Sequence, residues 1–189
     1  MTHAHRLEMP PWPTEPDGPR AATYVVDTNV ILVANGQHPG VSSECAARCA
    51  HWLDELMATG RLALDAGFEI VREYQHKTHA SDGLGKGDAF LRWVLHNMDN
   101  PARCDLVEIA PDERRGYEAF PIDSALNSFD ASDRKFVAVA RTHPEAPPIL
   151  QAADCKWLDW SAALAAHGVR VQFLCDAELR EFHAHKFGQ

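Results

Sequence analysis

Residues 24–32 read YVVDTNVIL, and the position of the acid within that stretch decides how the rest of the chain is read. Tyr24, Val25 and Val26 are aromatic or β-branched, the composition of a strand buried on both faces. Val30, Ile31 and Leu32 resume the apolar run beyond Asp27. A carboxylate inside apolar surroundings is expensive without a partner. It is tolerable at the C-terminal end of a strand, because open α/β sheets place their sites there. The stretch therefore reads as a buried strand whose C-terminal end presents Asp27.

Working outward, strands alternate with helices. Ser42 or Ser43 caps a predicted helix running to about Thr59, with Gly60 as its stop and Val41, Cys45, Cys49, Trp52, Leu53 and Leu56 as its apolar stripe. A second strand is expected at Leu62–Leu64, then a helix from about Phe68 to His79. The stretch SDGLGKGD (81–88) reads as a loop before a helix from about Asp88 to Asn97. A third strand is expected at Leu106–Ile109. A charged, proline-containing connection spans Pro111–Phe129, and Asp130 is read as the cap of a helix from Ser132 to about Arg141. A fourth strand at Ile149–Ala152, a helix at Trp157–Ala166 stopped by Gly168, a fifth strand at Val169–Leu174 and a last helix capped by Asp176 complete the chain. This alternation predicts a parallel sheet with helices on both faces. No internal repeat or low-complexity segment interrupts it.

The chain has 189 residues, enough for one ordinary domain with a short extension. Residues 1–22 are expected to form a Pro-rich N-terminal arm, 23–175 the domain, and 176–189 a C-terminal helix and tail. The formal net charge of −9 argues against a purely electrostatic nucleic-acid binder, but leaves room for one whose phosphate contact runs through a bound cation. No apolar run is long enough to cross a membrane and the first residues lack an apolar signal core. Five cysteines, an odd number without a Cys-x-x-Cys pair, argue against a disulfide framework. Cys45 and Cys49, four apart on a predicted helix, have the spacing to bind a metal, but small buried thiols are the expected reading, and a reducing cytoplasm is the expected compartment.

The acids carry the chemistry. Asp27 follows the first strand, Glu69 and Glu73 lie in the helix after the second, Asp133 lies in the first turn of the helix after the long connection, and Asp154 follows the fourth strand. Four segments thus deliver carboxylates to one sheet edge. Each has a bland reading alone: Asp130 as an N-cap, Asp133 as a complement to the helix dipole, Glu69 as a solvated surface acid, Asp154 as a loop acid. Together they repel one another, and nothing in stability asks for the cluster. A divalent cation makes it favourable, and oxygen donors select Mg²⁺ or Mn²⁺. Other chemistries fit less well. No His-Glu-x-x-His is present, although His76 and His79 lie three apart beside Glu73. Asn29 breaks the Asp-x-Asp of a haloacid-dehalogenase-type phosphatase. Gly85-Lys86 lacks the spacing and the following Ser or Thr of a P-loop.

The stretches VVDTNVIL (25–32), LDAGFEIVREY (64–74), SFDASDRKFVAVA (128–140) and ILQAADCKW (149–157) together resemble the PIN-domain ribonucleases, over roughly Tyr24 to Leu174. The resemblance implies a three-layer α/β/α sandwich with a central five-stranded, mainly parallel sheet in the order 3-2-1-4-5. It implies a metal-dependent endoribonuclease, a hydrolase cutting RNA phosphodiesters with an activated water and Mg²⁺ or Mn²⁺. The family's acids carry over to Asp27, Glu73, Asp133 and Asp154 as catalytic and metal-binding residues. Thr28 and Asn29 match the polar pair that orients the first acid or touches phosphate, and Asp130 takes a supporting place. Glu69 competes with Glu73, and the Glu-Tyr followed by basic residues favours Glu73. The last acid lacks the usual preceding Thr or Ser. Arg134, Lys135, Lys156 and Lys77 lie near the motif acids; for at least half of them a solvated helix face is expected. The family includes toxins of toxin–antitoxin pairs, which implies a homodimer or an inhibitory antitoxin-like protein as partner. The arm and the 111–129 connection have no counterpart there. A catalytically silent scaffold that binds protein or RNA is the alternative.

Overall fold

The structure, a computed structural model, describes residues 22–78 and 83–187. The expected arm at 1–22 therefore lies outside the described residues except for Ala22, as do His79 and the start of the SDGLGKGD loop. Strands β1 (Thr23–Val26), β2 (Arg61–Asp65), β3 (Cys104–Val107), β4 (Ile149–Gln151) and β5 (Val171–Phe173) form one parallel sheet in the order β3-β2-β1-β4-β5. Helices α1 (Thr28–Ala34), α2 (Ser43–Thr59), α3 (Glu69–Lys77), α4 (Lys86–Asn97), α5 (Arg134–Thr142), α6 (Trp157–Ala166) and α7 (Asp176–Phe187) complete a three-layer α/β/α sandwich. The expected fold class and strand order are those the chain adopts. Among the described residues no helix is long and apolar enough to cross a membrane.

β1 is central because it is apolar on both faces: Tyr24, Val25 and Val26 are fully buried. Val25 and Val26 pair with Ile149 and Leu150, and the ladder runs one residue further, where the Asp27 N–H donates to the Leu150 carbonyl at 3.0 Å. Asp27 thus leaves the strand with its backbone still fixed by β4. Trp52 of α2 packs edge-on against Tyr24, and Phe129 packs against both Trp157 and Trp160 of α6. Burying each such side chain contributes roughly 1.5–3 kcal/mol relative to leaving it exposed.

Several boundaries differ from expectation, each for a physical reason. Val30–Leu32 belong to α1 and do not extend the strand, because the Asp27 carboxylate caps a helix there, accepting from the Asn29 N–H at 2.8 Å. β3 begins two residues early, since Cys104–Val107 pair with Leu62–Asp65, and Leu106 is left 43% exposed. The 111–129 connection holds a small antiparallel hairpin, Pro111–Asp112 against Gly116–Tyr117, and a 3-10 turn at Ser124–Leu126. A second 3-10 turn, Ala131–Asp133, precedes α5, so the helix starts at Arg134 and the Asp130 side chain makes no cap bond. Asp176 is the first residue of α7. Cys45 is not a free thiol: it forms a disulfide with Cys175, 130 residues away, with Cα atoms 5.5 Å apart. The odd count of five weighs against a framework of several bridges and says nothing of one long-range bridge. Cys49, Cys104 and Cys155 are free and buried.

α1 and α4 meet at Gly87, where a Cβ would sit 2.3 Å from the Ile31 carbonyl oxygen and 2.6 Å from Ile31 Cγ2. Alanine is the better helix former by about 1 kcal/mol, but overpacking costs about 1–3 kcal/mol. Gly87→Ala should therefore lower the thermal midpoint. An unchanged or raised midpoint would show that α1 and α4 are not in backbone contact.

Candidate metal centre

Four elements converge on the C-terminal ends of β1 and β4. Asp27 is 2% exposed and rigidly held, by its own N–H to Leu150 and by its carboxylate on α1. The Tyr74 hydroxyl donates to the Val26 carbonyl, tying α3 to the last residue of β1. α3 is aimed by the turn before it. Phe68 adopts a left-handed φ of 58°, and the fully buried Asp65 at the end of β2 accepts from the N–H groups of Glu69 and Ile70 at 2.7 and 2.9 Å. Glu73, one turn on, then reaches the end of β1. The Thr28 hydroxyl donates to Glu73 Oε1 at 2.6 Å, and Lys135 Nζ lies 2.5 Å from Glu73 Oε2.

The α5 side is built as tightly. Asp133 accepts from the indole N–H of Trp157 at 3.3 Å and from the Ser132 hydroxyl at 3.0 Å. Asp154 accepts from the Lys156 N–H at 3.0 Å, and Lys156 Nζ lies 3.1 Å from Asp130 Oδ2. Asp130, Asp133 and Asp154 each offer an oxygen within 4.8 Å of the others, an arrangement fit to hold a metal ion. Asp27, Glu73 and Asp133 line a cleft of about 600 Å³ with Asn29, Arg72 and Lys135. Asp133 is common to both trios.

Charge is unbalanced at the centre. The Asp27 carboxyl is pushed from its ordinary 3.8 up to about 8, chiefly by burial and then by the Asp133 carboxylate; the Asn29 N–H offsets part of this, and Glu73 and Asp154 add to it. Burial also raises Asp133, against the pull of Ser132 and Trp157, with Glu73 and Asp154 again adding. Asp27 and Asp133 thus both feel the charges of Glu73 and Asp154. The donors at the centre are carboxylate oxygens, and their charge exceeds what Lys135 and Lys156 offset. That donor set suits a hard divalent cation.

Asp133, Glu73 and Asp154 bear on Asp27, and Asp130 stands beside Asp133 and Asp154. Glu73, not Glu69, faces Asp27; exposed Glu69 accepts from the Tyr117 hydroxyl of the small hairpin at 2.6 Å and lies on the cleft's rim. Asp130 is more central than an N-cap would be. Lys135 is no solvated surface cation, since it is buried against Glu73. Asp65, directly after the apolar run Leu62-Ala63-Leu64, carries the same sequence signal as Asp27 and serves to cap α3. Comparison with known proteins adds no relative: no family model, curated protein or solved structure matches the chain.

A carboxyl group with a raised native pKa stabilises the fold below its unfolded pKa and loses that stabilisation as pH rises through the native value. For Asp27 the window runs from about 4 to about 8. In EDTA, the wild-type melting temperature should fall relative to Asp27→Asn across that window. Parallel curves for the two proteins would mean that the charge at Asp27 carries no cost.

Proposed function

We propose that the chain is a metal-dependent endoribonuclease of the PIN type, holding Mg²⁺ or Mn²⁺ at Asp27, Asp133 and Asp154 and hydrolysing RNA phosphodiesters with water. The observation that carries this reading is the buried Asp27, fixed at a strand end with three further carboxylates bearing on it and a cleft beside it. A fold gains nothing from such a cluster without a cation. A bound Mg²⁺ or Mn²⁺ supplies positive charge to a phosphate oxygen and lowers the pKa of a bound water.

The chain's own residues divide the remaining work. Asp27 and Asp133 both line the cleft, and Asp130 and Asp154 stand beside Asp133. Both Glu73 oxygens are engaged, by Thr28 and by Lys135. Glu73 therefore acts through a water or as a fixed neighbouring charge. Arg72, His76 and Lys77 of α3 border the cleft and supply contacts for the RNA backbone. Those contacts are local, which suits a chain of net charge −9.

Cleavage of labelled single-stranded and structured RNAs, with matched DNA strands, should require Mn²⁺ or Mg²⁺ and stop in EDTA. Asp27→Asn and Asp133→Asn should each lower the rate by roughly two orders of magnitude while retaining the wild-type far-ultraviolet dichroism. Either metal should also raise the melting temperature of the wild-type protein, as native-state binding requires. Undiminished cleavage by Asp27→Asn would refute the assignment. A metal-induced stabilisation without cleavage of any strand would favour the scaffold reading.

A further inference from the structure

A second donor cluster lies away from the carboxylates. Cys45 and Cys49 stand one turn apart on the buried face of α2, and Cys175 arrives from the end of β5. The three residues are buried, and their sulfurs all lie within 4.8 Å of one another. We propose that Cys45, Cys49 and Cys175 form, in the reduced protein, a three-thiolate site for a soft monovalent cation of the Cu(I) type, and that the Cys45–Cys175 disulfide is the oxidised, metal-free state of that site.

A single structural bridge needs two sulfurs; here a third is held against the pair in a dense core. Thiolates select soft ions over the hard ions that carboxylates prefer. The count then narrows the choice. Among the described residues no carboxylate or imidazole joins this cluster, whereas tetrahedral zinc calls for four ligands. Three sulfurs shielded from water suit a three-coordinate ion. The frame is already fixed, because Glu178 of α7 accepts from the Ser42 N–H and hydroxyl, both at 2.7 Å, at the start of α2. A cleft of about 950 Å³, lined by Cys45, Cys175, Arg48 and Phe182 among others, gives a route in.

The chemistry balances with a dithiol reductant. The Cys45–Cys175 S–S bond breaks, two electrons and two protons from the reductant leave two thiols, and the reductant departs as its own disulfide. Binding then breaks three S–H bonds, forms three metal–sulfur bonds and passes three protons to water.

The full-length protein would be reduced anaerobically with a phosphine, desalted, and titrated with Cu(I) held by a chromophoric chelator. The reduced chain should withdraw one Cu(I) per molecule, with sulfur-to-copper absorption in the ultraviolet, and the air-oxidised chain should withdraw none. Cys49→Ala should weaken binding more than about tenfold, while Cys104→Ala, Cys155→Ala and Asp27→Asn should leave it unchanged. The oxidised and reduced wild-type chains make the comparison without any substitution. Less than one equivalent bound by the reduced chain, or equal withdrawal by the oxidised chain or by Cys49→Ala, would overturn the proposal and leave a structural disulfide beside an idle thiol.

Discussion

Repulsion around the buried Asp27 carboxylate is the constraint on which the rest of the structure turns. A carboxyl group at 2% exposure, with three other acids bearing on it, would relax outward on a loose scaffold. Here it has nowhere to go. Its backbone is in the ladder with β4, its side chain caps α1, and the residue before it is bonded by Tyr74 of α3. The opposing acid, Asp133, is held by Trp157, itself fully buried under Phe129. The aromatic packing of α6 and the strand order of the sheet thus serve the same end. They hold like charges closer together than those charges would otherwise stand.

Lys135 shows how the cluster is kept foldable. Its ammonium lies against Glu73 and donates to the Ser132 carbonyl, so one buried cation offsets part of the acidic excess from within. Asp27 nonetheless remains raised to about 8, chiefly by its burial and then by the Asp133 carboxylate. A structure selected for stability alone would have removed an acid or added a second lysine. The remaining excess is what a bound divalent cation would neutralise, and it links the proposed nuclease chemistry to the energetics of the fold.

How much of this was legible in the sequence depended on the range of the interaction. Patterning over a few residues exposed the strand before Asp27, the α2 stripe from Cys45 to Leu56 and the buried face of α5. Those features are set by local periodicity and burial. The acids at strand ends were legible because topology alone puts the C-terminal ends of parallel strands on one edge. What stayed hidden depends on side-chain direction or on distant pairing. Glu69 and Glu73 share a helix; the sequence favoured Glu73 by resemblance alone, and the turn at Phe68 and the Thr28 hydroxyl supply the physical reason. Lys135 looks like any helix cation until Glu73 is seen beside it. The Cys45–Cys175 bridge joins positions 130 residues apart and has no local signature.

The two donor clusters belong to the same topological logic. Asp27 follows β1, Asp154 follows β4 and Cys175 follows β5; in a parallel sheet all three strand ends lie along one edge. Placing two metal-binding chemistries on one edge would invite competition if both used the same donors. Oxygen donors at β1 and β4 favour hard ions, and sulfur donors beyond β5 favour soft ones. In the structure two of the sulfurs are already joined as the Cys45–Cys175 disulfide, whereas the carboxylates are only partly offset, by Lys135 and Lys156. Donor type, rather than distance alone, is therefore what would let one small sheet carry both sites without exchanging their ions.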